Sequence, residues 1–309
     1  MPSSRNKTII LSAEEIKHYA SRALHDGDAL SLDNKLFHGD MFSVCKKLPK
    51  QSFDLMIADP PYNLSKTFGE NKFLQKNRED YIAFTRAWLE ATLSLLKHNA
   101  SVYICADYRT SILLAPLLED YFLIQNRITW QREKGRGAEK NFKNSMEDIW
   151  FCTLSHTYTF NLDAVKLRRR VIAPYKENGA PKDWQETEGG NYRDTCPSNF
   201  WDDITIPYWS MAENTTHPTQ KPEKLLAKLI LASSNENDLV FDPFLGSGST
   251  AVTAKKLNRR FFGIEKEEEY IALAEKRLEM AESDTRIQGY ENGIFYHRNA
   301  TSDPKKRLP

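Results

Sequence analysis

The tetrapeptide Asp59-Pro60-Pro61-Tyr62 directly follows the apolar segment 53–58, which reads FDLMIA and is typical of a buried strand. In open α/β sheets, ligands bind beyond the carboxyl ends of the strands. The Asp59 carboxylate and a carbonyl next to the prolines offer two acceptors to the amino group of a base. Such a pair favours a tetrahedral nitrogen that can attack an electrophile, and the Tyr62 ring can stack on the base. A proline turn without chemistry is the alternative.

A second motif, DPFLGSGST, runs from Asp242 to Thr250 after another apolar segment. Its glycines allow the backbone to approach a ligand closely at the positive end of a helix. Glu265 follows Gly246 by 19 residues, near the ~20 expected for an acid that binds ribose hydroxyls. A single glycine turn with one acid suits a nucleoside-like cofactor that has no pyrophosphate. The alternative is a tight strand–helix turn with a surface glutamate.

A third motif, HPTQKP, occupies residues 217–222 immediately before a helical pattern. Taken on its own, it predicts only the capped beginning of a helix. Its two potentially functional side chains are those of His217 and Lys221.

Two runs of basic residues follow the first motif. Residues 131–145 contain five Lys/Arg and two Glu, and residues 160–182 contain six Lys/Arg and two acidic residues. Either run alone is compatible with a solvated loop. Two runs near a catalytic motif favour contact with nucleic-acid phosphates. The candidate DNA-binding residues are Arg132, Lys134, Arg136, Lys140, Lys143, Arg168, Arg169 and Arg170.

The elements that must position these motifs alternate between two periodicities, which indicates an α/β protein. Ser12 and Glu15 form a capping-box pattern before an amphipathic helix. The predicted strands are 35–38, 53–58, 100–106, 121–131, 146–153, 238–241 and 261–264. The predicted helices are 41–48, 78–97, 109–118, 222–233, 249–257 and 267–281. Residues 63–77 are predicted to be a mobile polar loop, and residues 158–216 a long functional loop region rich in aromatic residues.

Composition excludes several classes of protein. The chain of 309 residues has 40% hydrophobic and 28% charged residues and a formal net charge of +1, an ordinary globular balance. It contains no apolar run long enough for a membrane span or a signal peptide, so we expect a cytoplasmic protein. Its four cysteines are scattered, so we predict neither a metal site nor a disulfide framework.

The three motifs, in this order, resemble the β class of DNA amino-methyltransferases. The resemblance covers roughly residues 35–281 and implies S-adenosylmethionine (SAM) as cofactor. It implies that Asp59, Pro60, Pro61 and Tyr62 hold a flipped base. It places the cofactor among Asp40, His217, Thr219, Lys221, Asp242, Phe244, Gly246, Gly248, Ser249, Thr250 and Glu265.

The resemblance also implies a fold. It is a Rossmann-like methyltransferase sheet of seven mostly parallel strands, circularly permuted so that the catalytic half precedes the cofactor half. The implied organisation is a catalytic half (34–157), a target-recognition region (158–216) and a cofactor half (217–285). The predicted N-terminal arm and helix (1–33) and C-terminal tail (286–309) lie outside the resemblance.

Adenine N6 is the favoured target, because family members with Asp at the first motif position mostly methylate adenine. Cytosine-N4 enzymes more often carry Ser there, and the same acceptors can hold either amine. RNA methylation, protein amide methylation (whose enzymes begin the motif with Asn) and an inactive DNA-binding regulator are further alternatives. The implied partners are double-stranded DNA and a second copy of the chain, and the sequence leaves open whether a cognate restriction endonuclease accompanies it.

Overall fold

The computed structural model of the protein describes residues 5–68, 71–132, 139–171, 175–187 and 190–298. The helices are α1 Ala13–Ala20, α2 Met41–Cys45, α3 Arg78–Leu93, α4 Tyr108–Leu118, α5 Glu223–Ser233, α6 Ser249–Lys256 and α7 Glu268–Ser283, with a 3₁₀ turn at Leu162–Val165. The strands are β1 Lys35–His38, β2 Phe53–Ala58, β3 Lys66–Phe68, β4 Asn71–Phe73, β5 Leu96–Ala106, β6 Leu123–Gln131, β7 Met146–Thr153, β8 Leu167–Arg170, β9 Lys176–Glu177, β10 Ala180–Pro181, β11 Gln185–Thr187, β12 Gly190–Thr195, β13 Phe200–Trp201, β14 Leu239–Asp242, β15 Arg260–Glu265, β16 Tyr290–Glu291 and β17 Ile294–Tyr296.

A mostly parallel sheet with the order β1-β15-β14-β2-β5-β7-β6-β13 forms the centre of the molecule. All seven predicted strands belong to it. Within the described residues the sheet has eight strands, one more than the seven predicted, because the two-residue strand β13 pairs with β6. Strand β7 runs antiparallel to both β5 and β6.

The sheet has the predicted permuted connectivity. Strands β14 and β15, from the C-terminal third of the chain, pair in parallel with each other, and β15 pairs in parallel with β1. Strand β14 also pairs in parallel with β2, where Val240 lies opposite Leu55. The carboxyl ends of β2 and β14 are therefore adjacent, so the residues that follow them, Asp59 and Pro243, emerge at the same edge of the sheet.

Helices cover both faces of the sheet, because central strands such as β2 and β14 are buried along nearly their whole length. On β2, Leu55 and Ile57 face one hydrophobic cluster, which includes side chains of α1, α5, α6 and α7. Met56 and Ala58 face the other cluster, which includes side chains of α2, α3 and α4. No helix within the described ranges is both long and apolar enough to cross a membrane.

A second sheet, with the order β11-β12-β8-β17-β16, occupies much of the region predicted to be loop. Its strands have two to six residues each, too short to give a readable alternation in the sequence. Two of them, β16 and β17, come from the C-terminal segment, for which no element was predicted. Lys224 of α5 secures that segment, because its buried ammonium donates to the backbone carbonyl of Tyr296 and, at 3.2 Å, to that of Arg298.

The predicted polar loop at 63–77 contains the hairpin β3–β4. Asn63 closes the base of the hairpin, because its side chain donates to the Lys76 carbonyl at 3.0 Å and accepts from the Lys76 N–H at 2.8 Å. The Phe73 ring lies 5.7 Å from that of Phe84 on α3. The hairpin is thus packed onto the body, and side chains from it line the main cavity.

Two helix boundaries depend on local chemistry. The capping box is confirmed, since Ser12 and Glu15 each accept a hydrogen bond from the backbone of the other. Helix α3 ends at Leu93 rather than at the predicted Lys97, because the chain turns and enters β5 at Leu96. The apolar residues near 93–96 fit the helical period and a buried strand equally well.

Candidate active site

The Asp59-Pro-Pro-Tyr motif lies at the carboxyl edge of the central sheet, where the chain leaves β2. The Tyr62 hydroxyl donates to Asp59 Oδ1 at 2.8 Å, which orients the carboxylate. The Pro61 carbonyl accepts from the Tyr81 hydroxyl at 3.0 Å. Because the Pro61 carbonyl is engaged in this way, the Pro60 carbonyl is the better candidate for the second acceptor of an incoming amino group.

The same edge of the sheet opens into a cavity of about 470 Å³. The first motif lines one part of it and the glycine turn another, so the two sites predicted separately share one space. Phe42 and Phe84 add apolar walls, and Met146 and Asn144 border the cavity on the side of the 139–145 loop. A cavity of this size can hold a cofactor and a base together.

Lys221 lines the cavity next to Asp59, and its predicted place around the cofactor stays a prediction. Its Nζ lies 2.6 Å from Asp59 Oδ2 and 3.1 Å from the Tyr62 hydroxyl. Glu147 on β7 is the second carboxylate within reach, at 3.4 Å. Burial disfavours the charged ammonium, but the two carboxylates outweigh it and raise the pKa of Lys221. Lys221 is therefore charged where it lies beside Asp59.

The glycine turn between β14 and α6 is built around two carboxyl groups, those of the buried Asp242 and the partly buried Glu265. Glu265 accepts from the Gly246 N–H at 2.7 Å, and its other oxygen accepts from the N–H groups of Lys266 and Glu267 at 2.8 Å. Asp242 accepts from the Phe244 N–H at 3.0 Å. Burial raises the pKa of Asp242 to about 7 and that of Glu265 to about 7. Both groups are thus poised to ionise when a positively charged or hydroxyl-rich ligand arrives.

His217 packs over the glycine turn. A Cβ on Gly246, whose φ is +55°, would lie 3.0 Å from the imidazole Nε2, so glycine permits this close approach. The imidazole also makes an edge contact with the Tyr270 ring, with centroids 4.4 Å apart. Burial lowers the pKa of His217 to about 4, so the ring is neutral at physiological pH.

The cavity contains nearly all of the predicted catalytic and cofactor residues: Asp40, Asp59, Pro60, Pro61, Tyr62, His217, Thr219, Lys221, Asp242, Phe244, Gly246, Ser249, Thr250 and Glu265. Gly248 is the exception, since it does not line the cavity, and its predicted contact with the cofactor stays a prediction. Its φ is +82°, and a Cβ there would lie 2.5 Å from the Cβ of Ala274. Glycine at this position lets α7 pack against the turn.

Two charged residues at or behind the cavity were not predicted as part of the site. Glu147 is one, although a charged residue within the apolar segment MEDIWFCT was a usable signal. Arg277 of α7 is the other, and it lies behind the glycine turn. Its guanidinium donates to the Ser247 carbonyl at 2.7 Å, to Ser249 Oγ at 3.0 Å and to Glu223 at 2.9 Å. Arg277 lies in an ordinary amphipathic pattern, so nothing local distinguished it.

The structure separates the candidate DNA-binding residues into groups. Lys140 and Lys143 are exposed on the loop that borders the cavity, and Arg170 is exposed on β8. Arg132 and Arg168 are engaged within the protein: the first pairs with Glu147, and the second makes two 2.7 Å hydrogen bonds to Asp194. Arg169 lies 3.8 Å from Asp202. Lys134 and Arg136 lie outside the described residues.

Comparisons with known proteins agree with this geometry. A family model described as DNA methylase, N6_N4_Mtase, matches residues 53–276. The chain is 33% identical to the type II methyltransferase M.HpaI of Haemophilus parainfluenzae over 84% of this chain and 77% of that protein. It is 34% identical to the DNA adenine methyltransferase YhdJ of Escherichia coli K12 over 80% of this chain and 83% of that protein. A crystal structure of an M1.HpyAVI–SAM complex superposes with a TM-score of 0.52 at 26% identity, over 79% of this chain and 98% of that one.

Proposed function

Because the chain belongs to the N6_N4_Mtase family of DNA methylases, we propose that it transfers a methyl group from SAM to adenine N6 in double-stranded DNA. The observation that carries the proposal is the shared cavity, in which the Asp59 carboxylate and the turn at Gly246 line one space. The Asp at the first motif position and the name of the relative YhdJ favour adenine. Cytosine N4 is the alternative, because the family includes both chemistries.

The residues around the glycine turn fit SAM. The ligand carries ribose hydroxyls, a sulfonium and an ammonium group, and the turn offers two carboxyl groups on Asp242 and Glu265. Each carboxylate oxygen has two acceptor sites, so Glu265 can accept from hydroxyls beside its backbone donors. Phe42 and Phe244 provide apolar walls for a purine ring, and His217 covers the turn as a neutral ring. When bound, SAM supplies an electrophilic methyl group.

Asp59 and the Pro60 carbonyl would accept the two N–H groups of the target amine. This pairing draws the nitrogen lone pair out of conjugation with the ring and aims it at the methyl carbon. As the new C–N bond forms and the old C–S bond breaks, positive charge develops on the nitrogen, and the Asp59 carboxylate stabilises it. The surplus amine proton then leaves, and Asp59 is the nearest acceptor.

The target base reaches this pocket only outside the duplex stack. The amino group of a paired base is inaccessible to a cavity at a sheet edge, so the nucleotide must be extruded. Tyr62 is placed to stack on the extruded base, since its ring borders the cavity next to Asp59. The exposed Lys140 and Lys143 lie on the loop whose Asn144 lines the cavity, and they suit the flanking phosphates.

The test is methyl incorporation from labelled SAM into duplex DNA, RNA and protein, followed by nucleoside mass spectrometry of the DNA product. N6-methyladenine is the expected product. N4-methylcytosine would favour the alternative base, and methylation confined to RNA or protein would reject the proposal. SAM binding without any transfer would favour an inactive DNA-binding regulator.

We predict that SAM binds about tenfold more tightly at pH 8 than at pH 6. The reason is that binding is linked to the ionisation of one carboxyl group, that of Glu265, whose pKa is about 7. At pH 6 Glu265 is mostly protonated and cannot accept from two ribose hydroxyls as well as its backbone donors. Binding favours the ionised form, so affinity rises with pH through about 7 and levels off above it. Calorimetry at both pH values, in two buffers of different ionisation enthalpy, measures the affinity and the protons released. Equal affinities would contradict the prediction.

We predict that the double variant Lys140→Ala/Lys143→Ala binds DNA more weakly and less salt-dependently, since each lost phosphate contact lowers the slope of log Kd against log salt by roughly 0.9. Lys46 and Lys50 are exposed before β2, near the opposite edge of the sheet, so their double alanine variant is the control. Fluorescence anisotropy with labelled duplex DNA at several salt concentrations gives both slopes. Identical slopes for the two variants would contradict the role of the loop.

The proposal extends to the setting of the reaction. It places the enzyme with cellular DNA in the cytoplasm, either alone or beside a cognate restriction endonuclease, and as a homodimer. Sequencing DNA from cells that express the protein, with base-modification readout, identifies the methylated site. Resistance of that DNA to endonucleases of the same site tests the restriction setting, and light scattering tests the dimer.

A further inference from the structure

We propose that Glu147 is a positioning residue for methyl transfer, which draws the Lys221 ammonium aside so that Asp59 can accept the target amine. The inference rests on the proposed function, because it concerns the same reaction. It starts from a conflict in the geometry. Asp59 Oδ2 is occupied by the Lys221 ammonium at 2.6 Å and Oδ1 by the Tyr62 hydroxyl at 2.8 Å.

An amine that binds Asp59 must share an oxygen with one of these donors or displace that donor. The Lys221 side chain is 8% exposed, so its ammonium cannot turn to water. A buried charge that loses its only partner is strongly unfavourable. Glu147 provides the second partner, since its Oε2 lies 3.4 Å from Nζ and its side chain is 5% exposed. A small tilt of the ammonium exchanges one carboxylate for the other.

Glu147 is itself held in the orientation that this exchange requires. Its Oε1 accepts from the Arg132 guanidinium, which leaves Oε2 facing Lys221. The Tyr62 hydroxyl is also within 3.5 Å of Oε2. Tyr62 and Lys221 thus each lie between the same two carboxylates, and both can shift from Asp59 towards Glu147 when a base enters.

The distinguishing test is a double-mutant cycle between Glu147→Gln and Lys221→Met. Glu147→Gln removes the charge that attracts the ammonium, and we expect the single-turnover rate of methyl transfer to fall by about 10²-fold, as misplacement of a reacting group does. The Kd for SAM should change by less than about twofold, because Glu147 lies on the base side of the cavity. If Glu147 acts through Lys221, adding Glu147→Gln to Lys221→Met causes no further loss of rate.

Asp148→Asn is the matched control. Asp148 is the next residue of β7 and is buried, but it points to the other face of the sheet and accepts from Thr129 Oγ1 at 2.9 Å. This variant should keep the wild-type rate, and its melting temperature shows what loss of a buried carboxylate does to stability alone.

Each outcome has a separate meaning. A wild-type rate for Glu147→Gln, or losses from Glu147→Gln and Lys221→Met that multiply in the double variant, would overturn the positioning role while the proposed function stands. A rate loss in Glu147→Gln that is matched by Asp148→Asn and by a similar drop in melting temperature would reduce Glu147 to a structural residue. Absence of methyl transfer by the wild-type enzyme would reject the proposed function itself.

Discussion

The variant Asp59→Ala is expected to transfer methyl groups to DNA ~10³-fold more slowly than the wild type, or not measurably. It removes the carboxylate that would stabilise charge on the amine nitrogen. The fold should survive, because the Lys221 ammonium keeps Glu147 as a partner at 3.4 Å. SAM binding should stay close to that of the wild type, since Glu265 and Asp242 are untouched. Single-turnover kinetics measures the rate, and calorimetry measures SAM binding.

Asp54→Asn is the control for this variant. Asp54 lies on β2, the strand that Asp59 directly follows, and pairs with Lys97 at 2.7 Å, much as Asp59 pairs with Lys221. It precedes Asp59 by five residues and does not line the cavity. Its loss should lower the melting temperature and leave the transfer rate unchanged. Near-normal turnover by Asp59→Ala, or an equal rate loss in both variants, would remove Asp59 from the reaction.

The variant Gly246→Ala is expected to bind SAM on the order of 10²-fold more weakly, equivalent to a few kcal/mol. The backbone at Gly246 has φ +55°, a conformation that costs a residue with a Cβ about 1–2 kcal/mol. The new Cβ would also lie 3.0 Å from His217 Nε2. The turn can relieve both strains only by moving, which takes its N–H away from Glu265. Calorimetry with SAM measures the loss.

Gly293→Ala separates the two causes. Gly293 has φ +77°, and a Cβ there would meet nothing within 4 Å. This control therefore carries the backbone strain without any contact at the cavity, and its affinity for SAM should equal that of the wild type. A Gly246→Ala variant that binds SAM like Gly293→Ala would show that the turn does not approach the cofactor closely.

The elements of the site could be predicted because their signals are local. The apolar segments that end at Ala58 and Phe241 have strand composition, and each leads into a proline- or glycine-containing turn. Parallel strands place such turns at one edge of a sheet, so the position of both motifs follows once the permuted order is accepted. The strand pairing of β14 with β2 and of β15 with β1 confirms that order.

The second sheet could not be predicted, and the reason is the length of its strands. A strand of two residues, such as β16, contains no period, and its stability comes from partners far along the chain. Strand β17 pairs with β8, so that Phe295 lies opposite Leu167. The aromatic and basic residues between 158 and 216 indicated a functional region, but nothing local linked them to the C-terminal segment.

The sequence by itself determined the chemistry available to this protein: an acid beside two prolines, a glycine turn, and a later acid at the sequence spacing typical of an acid that binds ribose hydroxyls. The tertiary structure decided how the charges are paired. Lys221 lies 162 residues from Asp59 in the chain, yet their side chains are 2.6 Å apart. A local sequence pattern indicates which side chains of a helix or strand are buried, because burial on one face follows from the spacing of near neighbours. Which buried charge meets which depends on long-range strand order and side-chain reach, and these exist only once the sheet has formed.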